Sequence, residues 1–213
     1  MGRARDLALA GWPHGPVAVL ASVQQVQRQA NPGSVQVCYE RSVTCWRDDR
    51  IGSAERGTNP TVLARMTTGW AVIGDIQHLP GYCLLLYRGR ADHLTDLPRP
   101  ERAAFFLDLS LLGEAVQAAC RSFDPGFRRI NYEVLGNSWN HLHGHVHARY
   151  DWEPAEHRHL PVWRYNDRTD PRYALGPQHE PLRRTLVSAL HRVLNDEPSI
   201  HTCADAPDGA ANA

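Results

Sequence analysis

Four histidines occupy every second position in one short run of the chain: His141, His143, His145 and His147. Successive side chains of a β-strand point to opposite faces, so residues two apart share a face at a spacing of about 6 to 7 Å. The alternation therefore predicts a strand from His141 to Tyr150, with all four imidazoles on the same side.

Other apolar patterns predict the elements around this strand. Short apolar runs indicate four more strands, at 61–65, 70–75, 81–87 and 129–135. The strongest helical pattern has apolar residues at three- and four-residue steps, and helices are predicted at 100–122, 38–58 and 181–194. These elements predict an α+β fold, a mostly antiparallel sheet with the long helix packed on it. We expect an N-terminal extension over 1–35, one domain over 36–197 and a disordered tail over 198–213.

Composition excludes several functions. The 213 residues include 23 basic and 23 acidic side chains, so the net charge is zero and no nucleic-acid partner is expected. All the basic residues are arginines, which excludes Schiff-base chemistry and lysine-dependent phosphate binding. The five cysteines include no CxxC pair and predict reduced thiols. Without a long apolar run or a signal segment, we expect a cytoplasmic protein with no membrane partner.

The histidine run has three interpretations. A solvated histidine face is one, although random clustering of four in seven positions is improbable even with 12 histidines in the chain. A zinc site is the second, because histidines two apart on a strand can supply two ligands and His78, His93 or His147 a third. The third is catalysis at phosphorus.

The stretch 136–146 has a Gly-Asn-Ser turn followed by Trp-Asn and then His-Leu-His-Gly-His-Val. It resembles the signature of the histidine triad (HIT) family. Upstream, the stretch 75–86 resembles the same family's aspartate-containing strand, its Pro-Gly turn and the apolar strand that follows. The resemblance covers roughly residues 50–150 and implies a HIT-like fold and nucleotidyl transfer.

The resemblance implies three catalytic roles. His143 matches the nucleophile, which attacks the α-phosphorus and forms a nucleotidyl-imidazole intermediate. His145 matches the histidine that contacts the phosphate and assists the leaving atom. His141 matches the one that orients the others through hydrogen bonds.

The resemblance also implies a set of substrate-binding residues. Ser138, five residues before the nucleophile, matches the phosphate-binding hydroxyl. Asn131 matches, with an offset of one residue, an amide that contacts phosphate. Asp75 matches the acceptor for the ribose hydroxyls. We place two more residues in the same binding set: Ile76, which follows Asp75, and Arg88, which follows the apolar strand 81–87.

The expected reaction is hydrolysis or transfer at the α-phosphate of a dinucleoside polyphosphate or nucleoside phosphoramidate, as in the bacterial diadenosine-polyphosphate-hydrolase-like subgroup. The alternatives are a nucleotide-binding regulatory protein, a HIT enzyme of a biosynthetic pathway and a zinc-dependent hydrolase. No cofactor is expected beyond a Mg²⁺ ion carried by a polyphosphate. We expect a homodimer that buries the apolar face of helix 100–122. Trp152 and Trp163 are interpreted as packing residues.

Four features depart from the family pattern. Tyr82 occupies the place after Pro-Gly where other branches carry a histidine. His147 stands where a hydrophobic residue is usual, and Ala148 replaces a proline. Cys38 and Cys45 are too far apart for the CxxC arrangement of zinc-containing relatives, so no structural zinc site is predicted.

Overall fold

The protein's computed structural model describes residues 45–196. Within this range, the strands are β1 (Val62–Arg65), β2 (Gly69–Ile73), β3 (Cys83–Tyr87), β4 (Phe127–Glu133) and β5 (His143–Tyr150). The helices are α1 (Arg50–Glu55), α2 (Arg99–Phe123) and α3 (Glu180–Asp196). All strand pairs are antiparallel, and the sheet has the order β1-β2-β3-β5-β4. The predicted α+β class with an antiparallel sheet is confirmed.

One face of the sheet is the main hydrophobic core. Helix α2 packs against β3, β4, β5 and α3, and contributes fully buried side chains such as Phe105 and Val116. A Cβ added to Gly144 would lie 2.7 Å from Leu109 Cδ1, closer than carbon atoms can approach. The glycine between two histidines therefore lets α2 lie directly on the back of the histidine strand.

The opposite face carries the histidines. Strand β5 lies between β3 and β4, and its register pairs His143 with Leu86 and His145 with Leu84. Directly opposed residues of antiparallel strands point to the same side, so these leucines share the histidine face. The fold thus places the histidines in the middle of the sheet, against an apolar wall.

A turn before β3 shows why the chain has Pro-Gly at this point. Gly81 has a φ of +91°, a conformation that residues with a Cβ rarely adopt. A Cβ there would also lie 2.4 Å from Cys120 Sγ on α2. The turn can therefore approach the helix closely and send Tyr82 toward the histidine face.

The segment between β5 and α3 is held by a buried ion-pair network. Glu153, fully buried, accepts hydrogen bonds from the Arg149 guanidinium at 2.7 to 3.0 Å and from the Tyr165 hydroxyl at 2.5 Å. Two backbone hydrogen bonds join this segment to the chain after β2. The Gln77 N–H donates to the Tyr173 carbonyl oxygen at 2.7 Å, and the Leu175 N–H donates to the Asp75 carbonyl oxygen at 2.8 Å. The segment is therefore fixed against the sheet.

The structure corrects some predicted boundaries. In the described part of the predicted helix 38–58 only α1 is a regular α-helix, because Gly57, with a positive φ, ends it. Strand β5 begins at His143, two residues later than predicted. The predicted extension 1–35, the predicted tail 198–213 and Cys38 all lie outside the described residues. Helix α2 is long and apolar enough to span a membrane by composition, but half of its most apolar stretch is buried in the fold.

Candidate active site

A cavity of about 860 Å³ lies on the histidine face of the sheet. Its floor contains the side chains of His143, His145 and His147. One wall is apolar, with Val72 and Ile73 of β2 and Leu84 and Leu86 of β3; the loop before β5 and the segment after it supply the others. The cavity is large enough for a small organic ligand with several polar groups.

The hydrogen bond of His143 determines which of its nitrogens is free. Its Nδ1 lies 2.6 Å from the backbone carbonyl oxygen of His141. A carbonyl oxygen only accepts, so Nδ1 carries the proton and donates it, and the neutral ring keeps a lone pair on Nε2. That lone pair is what a nucleophile or a metal ligand requires.

The Tyr82 hydroxyl lies 2.8 Å from His145 Nδ1. Burial raises the pKa of Tyr82, so the hydroxyl keeps its proton and is able to donate it to Nδ1. When Tyr82 is the donor, the neutral His145 ring carries its own proton on Nε2. In this tautomer His145 presents a hydrogen-bond donor beside the free Nε2 of His143, whose ring centroid is 4.8 Å away.

His147 is the most deeply buried of the three. The Tyr82 ring stacks on it in parallel, with a centroid separation of 4.3 Å, and the edge of Trp163 closes the other side at 5.4 Å. Among residues 45–196 its Nε2 has no hydrogen-bond partner, although a Glu133 carboxylate oxygen lies 3.8 Å away. That oxygen already accepts a hydrogen bond from Trp163 Nε1. His147 therefore packs as an aromatic ring at the back of the site.

All three rings in the cavity are uncharged at neutral pH. Burial lowers the pKa of His143 below its usual 6.5. Burial, reinforced by His143, lowers the pKa of His145 to about 4. Burial, together with the neighbouring His145 and Arg149, lowers the pKa of His147 to about 3, and the partly buried Glu133 does not reverse this. Neutral imidazoles are nucleophiles and hydrogen-bond donors, but few of them are protonated acids at pH 7.

His141 differs from the prediction that all four rings share one face. It precedes β5 and is not among the residues that line the cavity. Its Nε2–H donates to the Tyr87 backbone carbonyl at 2.7 Å, and its ring stacks on Trp139 at 4.9 Å. The side chain leaves the alternating pattern because the chain here is a loop rather than a strand. His141 touches His143 through its backbone carbonyl.

Three of the predicted binding residues line the cavity: Ser138, Asp75 and Ile76. Asp75 accepts two hydrogen bonds from the guanidinium of Arg50, at 2.5 and 3.3 Å. Arg50 also lines the cavity, and its positive charge contributes to the lowered pKa of His143. Sequence reasoning did not single out Arg50, since an arginine at the start of a short helix carries no signal of its own.

The other two predicted binding residues do not reach the cavity. Asn131 points to the histidine face, but its side-chain oxygen accepts a hydrogen bond from Arg149 Nη1 at 2.8 Å. Arg88 is exposed at the end of β3 and does not line the cavity. The Asn131 amide is thus used by the Arg149 network, and Arg88 projects away from the site because β3 has already ended.

Three histidines share one face of the sheet, and histidine is a common metal ligand. Within residues 45–196, no group of three or more His, Cys, Asp or Glu side chains is arranged to hold a metal ion. The three rings instead face one another edge-on or stacked, and two of them use Nδ1 in hydrogen bonds.

Residues 71–152, which include the histidine strand, match the HIT domain family. The chain is similar to a histidine triad protein from Sinorhizobium meliloti, at 18% identity and a TM-score of 0.50, over 70% of this chain and 95% of that one. A histidine triad protein from Marinobacter aquaeolei is similar at 21% identity and a TM-score of 0.50, over 62% of this chain and 89% of that one.

A Zn-bound histidine triad family protein from Mycobacterium smegmatis is similar at 17% identity and a TM-score of 0.48, over 68% of this chain and 94% of that one. The search of curated proteins gave no match. The two similarities with a TM-score of 0.50 show the shared fold. The family match ends at Trp152, so the segment that supplies Trp163 to the cavity lies outside it.

Proposed function

We propose that the protein is a HIT-type nucleotide hydrolase or nucleotidyltransferase that acts at the α-phosphate of a nucleotide conjugate. The observation that carries this proposal is the hydrogen bonding of two neighbouring histidines in the cavity. The carbonyl of His141 leaves the lone pair of His143 on Nε2, and the Tyr82 hydroxyl supports the His145 tautomer that has its proton on Nε2. A nucleophile and a hydrogen-bond donor then face the same small volume, as displacement at phosphorus requires.

The reaction has two steps. His143 Nε2 attacks the α-phosphorus, an N–P bond forms, and the bond from phosphorus to the leaving group breaks with its electron pair on the leaving atom. The His145 Nε2–H group donates a hydrogen bond to that atom. Water, or another acceptor, then attacks the phosphorus and the N–P bond breaks. The products are a nucleoside monophosphate, or its transfer product, and free His143.

Other residues of the cavity support nucleotide binding. The Ser138 hydroxyl and the backbone around Gly136 are suited to phosphate, and the apolar wall of Val72 and Leu84 is suited to a base. Asp75 can accept hydrogen bonds from ribose hydroxyls while it holds Arg50. We include Ser138, Asp75 and Ile76 in the binding site and leave out Asn131 and Arg88.

Turnover assays with the His143→Ala variant test the proposal. The wild type should release nucleoside monophosphate from a dinucleoside polyphosphate or a nucleoside phosphoramidate. The variant should lose turnover but keep affinity for AMP, because the binding groups are untouched. Wild-type activity in His143→Ala would refute the mechanism. AMP binding by the wild type with no turnover of either conjugate would favour the regulatory nucleotide-binding alternative.

We also propose a cytoplasmic homodimer that needs no resident cofactor. Strand β4 lies at the edge of the sheet. Three apolar side chains are 42 to 49% exposed: Tyr132 on β4, Leu135 just after β4, and Phe106 on α2. Exposed apolar side chains around an unpaired strand edge are typical of an interface between copies. Light scattering at micromolar concentration should give twice the monomer mass of 23.9 kDa. A monomer would refute the dimer and leave the active site unaffected.

A further inference from the structure

One wall of the cavity comes from the segment after the matched domain. Trp163, Arg168 and Thr169 line the cavity there. The edge of Trp163 lies against His145, with ring centroids 5.1 Å apart, and the Arg168 guanidinium lies over the Trp163 ring, 5.4 Å from its centroid. A cation is therefore held on an aromatic platform that begins at the hydrogen-bond donor of the reaction centre.

The charge of Arg168 has no carboxylate partner in the described part of the chain. Of its acidic neighbours, Asp167 pairs with Arg172 at 2.5 Å and faces His78 at 3.6 Å, and Asp170 lies 3.8 Å from Arg172. Within residues 45–196, no carboxylate lies within ion-pair distance of Arg168. The other guanidinium of the cavity, Arg50, is paired with Asp75.

The segment that carries the platform is packed against the rest of the domain. The Tyr165 hydroxyl donates to the buried Glu153, and the His78 ring packs edge-on against both Tyr165 and Tyr173, with centroids 4.6 and 4.7 Å away. Trp163 Nε1 donates a hydrogen bond to Glu133. The half-buried Arg168 guanidinium therefore lies on a ring that is itself held in place, which lowers the ordering cost of binding an anion.

We propose that Arg168 on Trp163 is an anion-binding subsite for the leaving group, so the substrates of this protein are phosphoanhydrides whose leaving group is a phosphate chain. This inference rests on the proposed function, which puts the α-phosphorus at His143. The bond from the α-phosphorus to the bridging oxygen breaks, the electron pair stays on that oxygen, and the departing phosphate chain carries its negative charge toward Arg168.

The electrostatics of the histidines supports the same substrate class. An amine leaving group must gain a proton as it departs, whereas a phosphate chain can depart as an anion. Burial keeps His145 neutral near pH 7, so it offers a hydrogen bond far more readily than a full proton. The site is therefore better suited to a phosphoanhydride than to a phosphoramidate.

The test compares two substrates in four proteins: the wild type, Arg168→Ala, Arg168→Lys and Arg164→Ala. Arg164 is the matched control, since it lies in the same segment but is exposed and does not line the cavity. Removing one charge-assisted contact in Arg168→Ala should lower kcat/KM for diadenosine tetraphosphate by about tenfold or more. It should change kcat/KM for adenosine 5′-phosphoramidate less than about twofold, because that leaving group is not a phosphate anion.

Arg168→Lys should recover part of the loss, and Arg164→Ala should behave as the wild type. Equal losses on both substrates, or none on the tetraphosphate, would overturn the subsite. Calorimetry without added Mg²⁺ gives a reading that needs no turnover: the wild type should bind ATP more tightly than AMP, and Arg168→Ala should lose that preference. If the wild type cleaves neither conjugate, the proposed function fails, while an absent ATP preference overturns the subsite itself.

Discussion

Acidification should destabilise this protein through His147, whose ring is only 3% exposed and whose Nε2 has no hydrogen-bond partner within the described residues. The pKa of His147 is about 3 in the folded state, against 6.5 for an ordinary histidine. The unfolded chain therefore binds one more proton than the folded chain between these values. Stability from His147 is fully present above pH 6.5 and is lost as the pH falls toward 3.

The size of the effect follows from the two pKa values. Between pH 7 and pH 5, proton binding by the unfolded state lowers the free energy of unfolding by about 2 kcal/mol for this one group. Glu133 is the carboxylate that faces His147, and His145, Arg149 and His78 oppose its protonation from the other sides. A leucine at this position cannot titrate, so His147→Leu should remove that share of the acid sensitivity.

Urea unfolding at pH 7 and pH 5 measures the difference directly. The wild type should lose about 2 kcal/mol more than His147→Leu between the two pH values. His159→Leu serves as the control, since His159 is exposed. Comparison within each variant cancels any change in packing that the leucine causes. If the wild type and His147→Leu lose equal stability, the reasoning about His147 is wrong.

Three more predictions concern the site and its support. Tyr82→Phe removes the proton donated to His145 Nδ1 and should lower kcat about tenfold with little change in substrate affinity. ¹⁵N NMR of this variant should show mixed tautomers of His145. An unchanged Nε2–H tautomer would contradict the assignment. Glu153→Gln leaves the buried Arg149 charge without its carboxylate and should cost about 3 kcal/mol in urea unfolding, against no change if the network is unimportant. Elemental analysis of untagged protein should find no stoichiometric zinc, and near-stoichiometric zinc that is lost with activity in His143→Ala would make this a metal-dependent enzyme.

Most of the fold could be predicted because local patterns determine it. The alternating run that ends at Tyr150 became β5, and the three- and four-residue apolar steps became α2, within one or two residues at its ends. Periodicity reports which face of an element is buried, and both elements have a buried face. The loop at 139–142 follows no such rule, and the orientation of His141 therefore differed from the strand prediction.

The distant parts of the site could not be predicted, because they depend on contacts between segments far apart in the sequence. Asn131 has the right residue type, but an arginine from the next strand occupies its amide. Trp163 was interpreted as a packing residue, and it does pack, but it also forms a cavity wall with Arg168. Only the folded segment after β5 brings these two residues to the histidines.

The most direct test of nucleotidyl transfer is the identification of the covalent intermediate. The wild type is mixed with diadenosine tetraphosphate, quenched rapidly and analysed by intact-mass and peptide mass spectrometry under conditions that preserve a phosphorus–nitrogen bond. The account predicts the mass of one adenylyl group on His143, and no adduct in His143→Ala. An adduct on His145 or His147, or turnover by the wild type and by His143→Ala without any adduct, would contradict it.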